Sequence, residues 1–206
     1  MTLEEILNLA TVIPVLTVED DARAGDLARA LHAGGLKVVE LTLRTPAALK
    51  AMHAMQDAAP DLVVGMGTIR TPDQARRAAE EGAHFLVSPG LTPGLGEALA
   101  KTGIPALPGV ATASEAMAAR EQGFCALKFF PAEPAGGIAY LKALHGPLPD
   151  LVFCPTGGIG RETAPAYFAL PNVACVGGSW IATGAMIEAG DWDTVTANAR
   201  AAAQLK

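Results

Sequence analysis

The chain has 206 residues, 50% of them hydrophobic and 17% charged, with a formal net charge of −6. Half-apolar composition excludes a disordered acidic chain, and the length suits one domain with a sizeable core. The acidic balance argues against nucleic acid or an anionic membrane as the main partner, but it leaves room for a small anion in a locally positive pocket.

No apolar run reaches the roughly 20 residues of a membrane helix. Glu4 and Glu5 follow Met1 where a secretory signal would be basic. Three cysteines imply no disulfide framework and fit a reducing cytoplasm.

Short β-rich apolar runs then recur along the chain. They open near Val12 (VIPVLTV), Leu36 (LKVVELTL), Leu62 (LVVGMGT), His84 (HFLVSPG), Ile104 (IPALPG), Cys125 (CALKFFP), Leu151 (LVFCPTGG) and Val173 (VACVGGSW). Alanine-rich segments of helical periodicity lie between them, over 20–33, 46–58, 72–81, 114–122 and 165–170. Thr45-Pro46, Thr71-Pro72 and Thr112 offer N-cap oxygens, with Pro46 and Pro72 at first helical positions. Gly34-Gly35, Gly82 and Gly123 stand where helices stop.

Strand, helix, strand implies parallel pairing, and near-continuous apolar strands imply burial on both faces. Eight such units predict a single-domain (β/α)8 TIM barrel over 1–206, with an N-terminal helix and a final helix over 191–206. A doubly wound sheet is the alternative, but the first strand ends Thr17-Val18-Glu19-Asp20, without the glycine turn common there.

In such a barrel the site lies at the C-terminal strand ends. Along VVELTLR, alternation puts Glu40, Thr42 and Arg44 on one face and Leu41 and Leu43 on the other. Glu40 and Arg44 are thus candidates for the barrel mouth, or for an ion pair that only closes the barrel. Lys128 stands alone in the apolar run ALKFFP. Burial, and a cation such as Arg44 nearby, favour a neutral amine, which attacks ketones to form a Schiff base. The competing reading is a lysine that snorkels to solvent.

Gly157-Gly158 and Gly177-Gly178-Ser179 end the seventh and eighth runs, where barrels of this kind bind phosphate. Glycines that only make tight turns are the plainer reading. Thr68 either binds a carboxylate or caps a helix. Pro89, after Ser88, shapes the rim, and Phe130 packs or lines the site. Cys125, Cys154 and Cys175 read as buried, inert thiols. His32, His53, His84 and His145 show no metal spacing, and no dinucleotide or P-loop fingerprint occurs.

Taken together, VELTLRT, GMGTI, SPGLT, LKFFPAE, FCPTGGI and VGGSW resemble the class I 2-dehydro-3-deoxy-phosphogluconate (KDPG) aldolases of the Entner–Doudoroff pathway, over essentially the whole chain. The resemblance implies Lys128 as the Schiff-base lysine and Glu40 as the general acid/base. It implies that Arg44 and Thr68 hold the pyruvate carboxylate, and that Gly157, Gly158, Gly177, Gly178 and Ser179 hold the phosphate. It implies a homotrimer, no metal or other cofactor, and a phosphorylated keto-acid substrate, with Thr156 marking the gluconate-type enzyme. After the GT and GGSW motifs the chain departs from the family pattern, at 69–72 and in IATGAM, outside the motif positions. Competing functions are an aldolase for the C4 epimer or for 4-hydroxy-2-oxoglutarate, a phosphate-barrel isomerase or decarboxylase without a covalent intermediate, and a non-catalytic phosphosugar-binding barrel.

Overall fold

Strands and helices alternate as the periodicity predicts, and every strand pair is parallel. The computed structural model describes residues 1–205. The first half runs α1 (Leu3–Asn8), β1 (Val12–Leu16), α2 (Ala24–Ala33), β2 (Val38–Thr42), α3 (Ala48–Ala58), β3 (Val63–Gly67), α4 (Pro72–Glu80), β4 (Leu86–Val87) and α5 (Pro93–Lys101). The second half runs β5 (Ala106–Leu107), β6 (Gly109–Val110), α6 (Ala113–Glu121), β7 (Ala126–Phe129), α7 (Gly137–His145), β8 (Val152–Pro155), α8 (Ala164–Phe168), β9 (Val176–Gly178), α9 (Gly184–Ala189) and α10 (Trp192–Ala203).

The result is an α/β fold around a curled parallel sheet. Its hydrogen-bonded ladder divides in two, with order β5-β4-β3-β2-β1-β9 in one part and β6-β7-β8 in the other. The fifth apolar run forms two short strands because Pro108 interrupts it and has no N–H to donate. Isolated bridges pair Phe153 with Val173 and Thr156 with Gly177, linking the β8 side to the β9 side. No helix among the described residues is long and apolar enough to cross a membrane.

Strand alternation sorts the core into two clusters. Val12, Leu16, Val39, Leu41, Val64, Met66 and Leu86 meet the helices. Ile13, Val38, Val63, Phe85, Val87 and Leu107 face the concave side, where Ile6 and Leu7 of α1 pack onto them. Thr2 and Glu5 cap α1 reciprocally: the Glu5 N–H donates to Thr2 Oγ1 and the Thr2 N–H to the Glu5 carboxylate.

Thr71 and Thr112 cap α4 and α6 as expected, and Thr92-Pro93 repeats the device at α5. Thr45-Pro46 does not. The α3 helix starts at Ala48 without a side-chain cap, and the Thr45 hydroxyl donates instead to the Val18 carbonyl at 2.7 Å. A tertiary acceptor within reach has outcompeted the helix end. Of the expected final helix, residues 192–203 are helical, capped by Asp191, and Lys206 lies outside the described residues.

The α10 helix closes over α2 at Gly34. A Cβ there would clash with the Ala199 side chain and lie 2.8 Å from the Thr196 carbonyl oxygen. Gly34 has ordinary helical dihedrals, so the constraint is purely steric. Replacing Gly34 by Ala is expected to destabilise the protein by about 1–3 kcal/mol through overpacking. Urea denaturation would measure this as a lowered midpoint at unchanged slope.

Candidate active site

The concave face changes character along the strands. Near their N-terminal ends it is apolar and covered by α1. Toward their C-terminal ends the buried side chains become Glu40, Thr42, Ser88, Lys128 and Thr156. Buried charge is costly unless paired, so such a cluster needs specific partners.

Glu40 and Lys128 supply them for each other. Glu40 is 3% exposed and Lys128 5% exposed. Lys128 Nζ donates to Glu40 Oε1 at 2.9 Å and to Oε2 at 3.0 Å. The nitrogen also lies 5.4 Å from the centre of the Phe130 ring. The snorkelling alternative for Lys128 therefore fails. Thr42, next inward on β2, donates to the Leu16 carbonyl and shares a 2.9 Å hydrogen bond with Thr17, tying β2 to the end of β1.

Glu40 reaches the lysine across Gly67 of β3. A Cβ on Gly67 would lie 2.6 Å from Glu40 Cγ and 2.7 Å from its carboxyl carbon. Only a residue without a side chain leaves room for the carboxylate. The β6 strand repeats the pattern: a Cβ on Gly109, the register partner of Lys128, would lie 2.5 Å from the Pro89 carbonyl oxygen. Pro89 is thereby held close to the strand beside Lys128, and the Gly109 N–H donates to Ser88 Oγ.

Arg44 lies in the turn beyond β2 and is exposed. Its Nε donates to Thr68 Oγ1 at 3.2 Å. The sequence reading set Arg44 beside the lysine as the cation favouring a neutral amine. In the structure the charged group facing Nζ is the Glu40 carboxylate, and Arg44 pairs with Thr68. Thr68 has φ +61°, the one non-glycine residue in the left-handed region among the described residues. Such a backbone costs a β-branched residue about 1–3 kcal/mol and is typical of functional sites. Thr71, not Thr68, caps α4, so the helix-cap alternative for Thr68 fails.

The glycine-rich turns sit on the same rim. Gly157 and Gly158 have φ +104° and +83°. Their carbonyl side is bound to the segment after β7: the Ala132 N–H donates to the Thr156 carbonyl and the Glu133 N–H to the Gly157 carbonyl. Neither glycine N–H has a protein acceptor among the described residues. Two adjacent unpaired N–H groups in such a turn suit an anion. Ser179 is exposed just after β9. Gly177 lies within β9, where a Cβ would come 2.8 Å from Thr156 Cγ2. Its lack of a side chain makes room for Thr156.

The thiols are not all alike. Cys154 and Cys175 are buried, with Cys175 Sγ donating to Cys154 Sγ at 3.5 Å, but Cys125 is exposed. It precedes β7, at the N-terminal rim, where the apolar run has not yet entered the core. Trp180 packs against the helix-side core. Among the described residues no three His, Cys, Asp or Glu groups cluster as a metal site would require.

Residues 3–198 match the profile of the KDPG and KHG aldolase family. The chain belongs to this family. The 2-dehydro-3-deoxy-phosphogluconate aldolase of Pseudoalteromonas atlantica is 44% identical over 199 residues, 97% of this chain and 93% of that protein. A crystal structure of the Legionella pneumophila KDPG aldolase, with pyruvate captured at low pH as a covalent carbinolamine intermediate, superposes with TM-score 0.95 at 44% identity, covering 98% of each chain. The Zymomonas mobilis ZM4 2-keto-3-deoxy-6-phosphogluconate aldolase, crystallised with 3-phosphoglycerate, gives TM-score 0.93 at 43% identity, covering 98% of this chain and 95% of that one.

Sequence reasoning passed over Gly67 and Gly109. The signal was present: a glycine inside a strand often marks a close approach. What approaches is set by the neighbouring strand and is not written in the motif. Replacing Gly67 by Ala is expected to push the Glu40 carboxylate away from Lys128. Displacement on the order of 1 Å costs about 10²-fold in turnover. Steady-state kinetics at unchanged circular dichroism would register it, and wild-type turnover would contradict the seating role.

Proposed function

We propose that this protein is a Schiff-base aldolase that cleaves 2-keto-3-deoxy-6-phosphogluconate to pyruvate and D-glyceraldehyde 3-phosphate. The observation that carries this reading is the buried Lys128–Glu40 pair at the C-terminal strand ends, in a chain of this family. The fold it implies is a single (β/α)8 barrel over 1–206. The continuity of β5 and β6 around Pro108 and the two bridges between the β8 and β9 sides support closure.

The resting pair contains the proton the reaction needs. Transfer of one proton from Nζ to the Glu40 carboxylate leaves a neutral amine beside a carboxylic acid. The amine adds to the C2 ketone. The acid then protonates the carbinolamine hydroxyl, which leaves as water and gives the iminium. The carboxylate so regenerated takes the C4 hydroxyl proton, directly or through a water. The C3–C4 bond breaks, its electrons settle in an enamine, and the aldehyde departs. Glu40 returns the proton to C3, and water hydrolyses the iminium to release pyruvate. One carboxylate serves throughout because its proton is recycled.

The pairing of Arg44 with Thr68 beside Gly67 and Glu40 supports their role on the pyruvate carboxylate. The free N–H groups of Gly157 and Gly158, with Gly178 ending β9 and Ser179 following it, support the phosphate end. Gly177 then acts as the seat of Thr156. Binding the distant phosphate positions the reacting bond. Pro89 and Phe130 complete the walls around Lys128. This chemistry resides in an amine and a carboxylate, and the carbinolamine of the Legionella relative is chemistry of that kind. The homotrimer follows from the family resemblance, and a cytoplasmic location suits two free buried thiols 3.5 Å apart.

Incubation with pyruvate and borohydride, followed by peptide mapping, is expected to place a stable adduct on Lys128. Replacing Lys128 by Ala is expected to abolish both adduct and turnover while the fold survives. Turnover of a phosphosugar by unmodified protein would favour an isomerase or decarboxylase instead.

Thr156 bears on the C4 configuration. Its side chain is buried over Gly177 at the rim, with the hydroxyl donating only a long, 3.4 Å bond to the Cys154 carbonyl. Replacing Thr156 by Val keeps the volume and removes the hydroxyl. It is expected to narrow discrimination between the gluconate and galactonate epimers by about tenfold in kcat/KM, the worth of one hydrogen bond to substrate. A kinetic comparison of the two epimers measures the change.

A further inference from the structure

We propose that Glu133 and Tyr167 are positioning residues that hold the Gly157–Gly158 turn in its anion-binding conformation. The inference rests on the aldolase reading, and neither residue is given a role by the Schiff-base chemistry. The sequence offers Glu133 only as the last letter of LKFFPAE, and Tyr167 only as an apolar position of a short helix.

Three contacts make Glu133 a clasp. Its N–H donates to the Gly157 carbonyl at 3.0 Å. Its aliphatic stem lies against Gly158, where a Cβ would come 2.7 Å from Glu133 Cβ and Cγ. Its carboxylate accepts a short hydrogen bond from the Tyr167 hydroxyl on α8, the helix that follows the turn. The turn is therefore gripped from one side by backbone and stem, and the gripping residue is itself anchored to the helix downstream. Tyr167 is fully buried. Burial, with the Glu133 carboxylate beside it, pushes its hydroxyl above the ordinary tyrosine range, so it remains a donor.

Gly137 completes the arrangement. It opens α7 at φ +53°, and a Cβ there would lie 3.0 Å from the Tyr167 hydroxyl and 3.7 Å from both Glu133 carboxylate oxygens. The hydrogen bond thus runs beside the start of α7, where the positive end of the helix dipole favours a negative charge. A carboxylate next to an anion-binding turn would otherwise oppose the ligand. Fixed to the Tyr167 hydroxyl beside the start of α7, it does not accept from the Gly157 and Gly158 N–H groups and leaves them to the ligand.

The test separates anion binding from chemistry. Tyr167→Phe keeps the buried ring and removes only the donor, and Glu133→Ala removes the clasp. Both are expected to raise KM for the phosphorylated keto acid about tenfold, as loss of one hydrogen bond would. The inhibition constant of inorganic phosphate should weaken in parallel. Both should leave kcat within about twofold, a change too small to reflect lost transition-state stabilisation. Exchange of pyruvate methyl protons with solvent, which needs Lys128 and Glu40 but no phosphate, should be unchanged. Glu133→Gln keeps stem and acceptor and is expected to retain the wild-type KM. Unchanged KM and phosphate inhibition in Tyr167→Phe would overturn the inference. Equal loss of proton exchange and phosphate affinity would also overturn it, because the defect would then be general. If the wild-type protein failed to exchange pyruvate protons, the aldolase reading itself would fall, and that control distinguishes the two.

Discussion

The bond between Lys128 and Glu40 is the constraint around which the site is arranged. Removing two charges from water costs several kcal/mol per ion before their attraction is counted, so a buried pair contributes little net stability. Stability alone gives no reason to place one above the apolar layer of Val38, Val63 and Phe85, out of solvent. Under the proposed reaction the pair is stored chemistry: a nucleophile and its proton acceptor held 2.9 Å apart, out of bulk solvent. The apolar layer beneath it keeps the local dielectric low and sharpens each polar contact above.

Around the pair, the fold works by omission. Gly67 leaves room for Glu40, Gly109 for the backbone at Pro89, and Gly177 for Thr156. In each case a large or rigid group sits on a strand or just past its end, and a glycine faces it from a neighbouring strand. Parallel strands lie about 4.8 Å apart, so a group that reaches across its neighbour, as Glu40 does over Gly67, would collide with a side chain standing there. Alternating bulk with absence resolves that crowding and fixes each functional group against backbone, which does not change rotamer.

The sequence made the alternation of strands and helices legible, because burial on both faces leaves unbroken apolar runs and alanine-rich helices leave a clear period. It made Lys128 and Glu40 legible for the same reason: a charge in an apolar strand stands out, and period two assigns its face. Contacts between elements stayed hidden. Thr45 looks like a helix cap until the Val18 carbonyl is brought within reach, and Pro108 looks like part of one strand until its missing N–H divides the ladder. Arg44 lies past the end of its strand, so alternation no longer governs its direction, and it turns to Thr68. Cys125 reads as core by composition, yet it stands one residue short of β7. The clasp of Glu133 by Tyr167 joins residues 34 positions apart, a pairing that only the packing of α8 beside the glycine turn creates.

The α1 helix carries a last consequence. With Ile6 and Leu7 packed over the N-terminal ends of the strands, α1 closes that end and leaves the opposite rim, which holds the glycine turns, as the side from which Lys128 is reached. In the proposed reaction the three-carbon fragment stays tethered to the amine on the inner side, and the phosphorylated fragment lies between it and the rim. Departure is therefore sequential: the outer fragment leaves first, and only then does water reach the tether to free the inner one. Run backwards, the same queue makes the keto acid board before any aldehyde, a kinetic order that the tether sets and the closed far end of the strands preserves.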